Sequence, residues 1–79
     1  MKNDKHIYTF EKMRIHLRNL RKDLSLSQKE MANKLGWHQT YISQLEKGYR
    51  VPSLENLIDI SNALDIELHT ILDFRYLET

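Results

Sequence analysis

The chain has 79 residues, 41% of them apolar and 29% charged, with two glycines, one proline and no cysteine. That suits one folded domain without a second core, excludes a disulfide framework or thiolate metal site, and leaves little turn material for a β-sandwich or barrel. The net charge of +1 conceals a division: residues 1–50 hold eleven Lys and Arg against five Asp and Glu, and residues 51–79 hold one Arg against six acids, so a polyanion would attract the first part and repel the second.

Residues 1–9 are polar and are expected to form a flexible arm, ahead of a single domain over 10–79. The opening MKNDKHIYTF lacks the apolar core of a secretory signal, and no apolar run reaches bilayer length, so a cytoplasmic location is the default expectation. Phe10, Met13, Leu17, Leu20 and Leu24 recur at alternating spacings of three and four, which predicts an amphipathic helix over about Glu11–Asp23. Arg14, Arg18 and Arg21 fall on another stripe of it, and a solvated face is the simplest reading for Arg14 and Arg18. Ser27 and Glu30 form an S-x-x-E capping box that opens a second helix. Met31, Ala32 and Leu35 give this helix its apolar face, and Gly36 stops it. A third helix over His38–Lys47 has Tyr41, Ile42 and Leu45 as its apolar positions and ends at Gly48. Pro52 and Ser53 signal the start of a fourth, with Ser53 as N-cap, Glu55 in the first turn, and Leu54, Leu57, Ile58, Ser61 and Leu64 as its stripe. After a break at Asp65–Ile66, a fifth helix is expected over about Glu67–Phe74.

Two helices cross steeply only where their contact is small and their joint tight. Ala32 supplies the first and Gly36 the second, while Ile42 and Leu45 fall six and nine residues beyond Gly36, where the following helix must face the core. These are the spacings of a helix-turn-helix. The segments LSQKEMANKLGW, TYISQLEKG and VPSLENLIDISNAL resemble the lambda-repressor-like, Cro-type (XRE) helix-turn-helix family, from about Leu17 to Leu72.

The resemblance implies an all-α, compact five-helix domain, which agrees with the count made above. It also implies a sequence-specific DNA-binding transcriptional regulator, a dimeric repressor or controller that inserts its third helix into the major groove. Gln39, Thr40 and Gln44 match positions that reach base edges, and a Gln amide pairs bidentately with adenine. Gln28 matches a position that grips a phosphate and braces the recognition helix. Ser43, Lys47, Tyr49 and Arg50 fall to the DNA backbone. Arg21 and Glu46 match a structural ion pair. His38 departs from the family, which places Ser, Thr or Asp at this cap; histidine caps poorly, and a phosphate contact is its functional alternative to a plain surface role. For Tyr41, packing on the first helix and lying along the sugar-phosphate backbone are both open.

One short helix reads few bases, so a homodimer on a palindromic double-stranded operator is expected, with half-sites about 34–36 Å apart. Its interface is assigned to Ile71, Phe74, Tyr76 and Leu77, unless these simply cover the first helix. The four histidines have no metal-ligand spacing, and no glycine-rich phosphate loop or catalytic constellation is present, so no enzyme, cofactor, membrane association or small-molecule effector is expected. Restriction-modification controllers, phage repressors and antitoxins share this size, and the TYIS segment is similar to that of the controllers. The alternative is a protein-interaction module on the same fold, such as a toxin-binding antitoxin.

Overall fold

Residues 4–77 are described by the computed structural model. They form α1 (Asp4–Asp23), α2 (Gln28–Leu35), α3 (Gln39–Glu46), α4 (Leu54–Leu64), α5 (Leu68–Leu72) and a 3-10 turn over Arg75–Leu77. The fold is therefore all-α with five α-helices among the described residues, as the periodicity predicts. None of these helices is long and apolar enough to cross a membrane.

Helix α1 starts earlier than the sequence suggests. Residues 4–9 continue it, which corrects the expected arm from residue 4 onward; residues 1–3 of that arm lie outside the described residues. The cause is cooperative. Once Met13, His16 and Leu17 are buried and the helix is nucleated, each added residue gains a hydrogen bond at little cost. Ile7 and Phe10 on the added turns line a groove of about 650 Å³ with Val51 and Pro52.

Helix α2 begins where both halves of its capping box are made. Ser27 Oγ accepts from the Glu30 N–H at 3.0 Å, and Glu30 Oε1 accepts from the Ser27 N–H at 2.9 Å. These bonds hold the Glu30 carboxyl below its ordinary range, the Ser27 backbone first. A second capping box opens α4, with Asn56 answering Ser53. Ser27→Ala is expected to cost about 1 kcal/mol of folding stability, read as a lower denaturation midpoint with unchanged steepness.

The core gathers Met13, Leu17, Met31, Ala32, Ile42, Leu57, Ile60 and Ile71, with Leu20, Leu35, Trp37 and Phe74 packed against it. Ile42, Ile60 and Ile71 are the most enclosed; each contributes about 1.5–3 kcal/mol by leaving water.

Ile71 has 0% exposure. It therefore has no surface to give a partner subunit, which corrects its assignment to a dimer interface. Phe74 is half-buried against the same core, whereas Tyr76 keeps 59% of its surface.

The segment after α5 is tied back to α1 by His16, which is only 4% exposed. Its Nε2 lies 2.8 Å from the Thr70 carbonyl oxygen and its Nδ1 2.7 Å from Tyr76 Oη. A carbonyl only accepts, so Nε2 carries a hydrogen; in the neutral ring Nδ1 then accepts from the Tyr76 hydroxyl. Asn19 Nδ2 donates to the same Tyr76 oxygen at 3.2 Å.

Candidate nucleic-acid interface

The presentation of α3 depends on the joint before it. Gly36 sits at φ +70°, in the left-handed region that an L side chain enters only with strain. Its neighbour Trp37 donates its N–H to Ala32 O at 2.9 Å, closing the end of α2. Ala32 of α2 is 2% exposed, so its small methyl group lies inside the core cluster that also holds Ile42 of α3. At the far end of α3, Gly48 is at φ +81°, and a Cβ there would lie 3.1 Å from Arg14 Cδ. Glycine serves both the turn and the close approach of α1.

Behind α3, Glu46 is clamped from three sides. Arg21 grips its carboxylate with Nε at 2.6 Å and Nη2 at 2.9 Å, Gln28 Nε2 donates to Oε1 at 3.2 Å, and Arg14 Nη1 donates to the Glu46 backbone oxygen at 2.9 Å. Both acid and base of the pair are buried. The hydrogen bond to Glu46 raises the Arg21 pKa above its ordinary value in spite of burial. One negative charge of the basic half is thus turned inward and neutralised. Arg14, read from sequence as solvated, instead supports the end of α3 and pairs with Glu11.

The opposite side of α3 is open. Gln39 and Thr40 are exposed, and Ser43 and Gln44 are half-buried. With Gln28, Lys47 and Tyr49 they line one shallow depression of about 410 Å³. No acidic residue lines it, and amide, hydroxyl and ammonium groups dominate, which suits the base edges and phosphates of a duplex.

Arg50 stands beside this surface and joins it through Gln44, whose Oε1 accepts from Arg50 Nε at 2.6 Å. His38 is the N-cap of α3, is exposed, and makes no side-chain capping bond. The bonds and ring contacts of Tyr41 run to Asn56, Trp37 and Arg50 rather than to the first helix. Its hydroxyl donates to Asn56 Oδ1 at 2.9 Å, its ring meets Trp37 edge-on at 5.1 Å, and the Arg50 guanidinium lies over it at 5.5 Å. Asn56, which answers the N-cap Ser53 at the start of α4, therefore also fixes α3, a double use that the Ser53–Asn56 spacing alone did not announce.

A sequence family described as Helix-turn-helix matches residues 17–71. Among individual relatives, the chain is 38% identical over 61 residues to the uncharacterized HTH-type transcriptional regulator y4dL of Sinorhizobium fredii, covering 77% of this chain and 31% of that one. It is 42% identical over 50 residues to Control protein C.BamHI of Bacillus amyloliquefaciens, covering 63% and 62%. It is 33% identical over 61 residues to the HTH-type transcriptional regulator SinR of Bacillus subtilis, covering 76% and 55%. The chain thus spans about a third of the first of these relatives and rather more than half of the other two.

Proposed function

Because the chain belongs to the helix-turn-helix family of transcriptional regulators, we propose that it is a sequence-specific DNA-binding repressor or controller that reads the major groove with α3. The observation that carries this reading is the shared depression: seven residues from two helices and the following loop converge on one acid-free surface. Gln39, Thr40 and Gln44 would face base edges. Gln28, Ser43, Lys47, Tyr49, Arg50 and His38 would lie against phosphates, holding the protein in register without carrying sequence information.

The protein would bind as a homodimer on a palindromic operator, since eight residues of α3 touch too few base pairs to select a genomic site. The subunit contact is assigned to Phe74, Tyr76 and Leu77 at the acidic end of the chain, away from the phosphates. Repression would follow from occupancy, the bound dimer excluding other proteins from the same duplex. The similarity to a control protein and to transcriptional regulators supports this class.

Selection of bound duplexes from a random pool tests the proposal. The expected result is two inverted half-sites with centres about 34–36 Å apart, one helical turn. Enrichment of no sequence would overturn it. A single half-site, with a monomer in sedimentation at high micromolar concentration, would overturn the dimer.

A further inference from the structure

The bond between Arg50 and Gln44 bears on which base the recognition helix prefers. We propose that Arg50 is a positioning residue that turns the Gln44 amide so that its NH2 group faces the groove, biasing Gln44 toward guanine and away from adenine. This rests on the base-reading role proposed for Gln44.

The orientation follows from chemistry. Arginine has hydrogen-bond donors and no acceptor, so the Gln44 atom 2.6 Å from Arg50 Nε is the amide oxygen and the nitrogen takes the other position. The arginine is itself held. Its guanidinium lies over the Tyr41 ring at 5.5 Å, and Tyr41 is fixed by its hydroxyl bond to Asn56 and by the edge of Trp37. The chain of contacts runs from the start of α4 to the tip of the Gln44 side chain.

A bidentate grip on adenine uses both ends of the amide: NH2 to N7, and the oxygen to the N6 amino group. Gln44 would have to swing that oxygen away from Arg50 or share it between a cation and the base. Guanine presents only acceptors here, N7 and O6, and the outward NH2 group meets them with the Arg50 bond intact. The terminal nitrogens of Arg50 then serve a phosphate, so one side chain both touches the backbone and sets a base preference.

The test is random-pool selection with the unsubstituted protein, Gln44→Ala, Arg50→Lys and Arg50→Ala, with matched helical circular dichroism. Gln44→Ala identifies the base pair that Gln44 reads. The unsubstituted protein should prefer guanine there. Arg50→Lys keeps the charge but lacks the planar Nε, and should lower the guanine-over-adenine ratio at that one position about fivefold or more with an unchanged salt slope. Arg50→Ala should show the same loss of preference and a shallower slope.

Three results would overturn the inference while leaving DNA reading intact: adenine preferred by the unsubstituted protein, an unchanged ratio in both Arg50 variants, or a uniform weakening at all positions. Failure of the unsubstituted protein to enrich any sequence would remove the base-reading role itself, and this inference with it.

Discussion

Glu46→Ala is expected to lower folding stability by about 3–5 kcal/mol, because it leaves the Arg21 guanidinium buried with its carboxylate partner removed. In a domain of this size each kcal/mol moves the melting temperature by about 4–8 °C, so the midpoint should fall by more than about 12 °C. The bidentate geometry at 2.6 and 2.9 Å and side-chain exposures of 10% and 7% separate this pair from a surface one. The Arg75–Asp73 pair has side chains 84% and 48% exposed and serves as the control: Asp73→Asn should leave the midpoint nearly unchanged. Replacing both partners together, as Arg21→Met with Glu46→Leu, should recover much of the loss, since no uncompensated charge then remains. Thermal and denaturant melts of the four proteins check this. A Glu46→Ala midpoint within a degree or two of the parent would show that the pair does not hold α3 in place.

Affinity for DNA should fall about 150-fold between 50 and 200 mM monovalent salt. In the proposed complex Lys47 and Arg50 would give each protomer two cations for phosphate, hence four for a dimer, and each neutralised phosphate adds about −0.9 to the slope of log affinity against log salt. The slope is then about −3.6. Lys47→Ala removes one contact per protomer and should bring the slope to about −1.8, with the same preferred sequence. Titration by fluorescence anisotropy across the salt series measures both. A flat response would favour the protein-interaction reading, because association through apolar surface releases few counterions.

Most of the fold was legible where local chemistry dictates the backbone. Ser27 with Glu30 announces a helix start, Gly36 its end, and the spacing from Ala32 to Ile42 and Leu45 the crossing of α2 on α3. Less legible were features settled by packing at a distance. The polar stretch before Phe10 carries little helical signal of its own, yet it extends a helix already anchored by Met13 and Leu17. Ile71 fits the apolar stripe of a short terminal helix equally well inward or outward; only the space between α1 and α4 puts it in the core. At the site, the outward set on α3 follows from the three-to-four spacing that turns Ile42 and Leu45 inward. The Gln44–Arg50 bond does not, because the residues lie six apart across the end of a helix and their meeting depends on the path through Gly48.

The Tyr76 hydroxyl bond has one more result. With its oxygen in hydrogen bonds to both His16 Nδ1 and the Asn19 amide, this tyrosine has engaged its polar tip on its own chain while leaving 59% of its surface outside. Toward a neighbour it presents mainly the apolar faces of its ring, in an orientation that those two bonds hold before contact. Aromatic area that is already immobile loses little rotamer freedom on association, so sticky character here comes from a residue that composition alone would count as amphipathic.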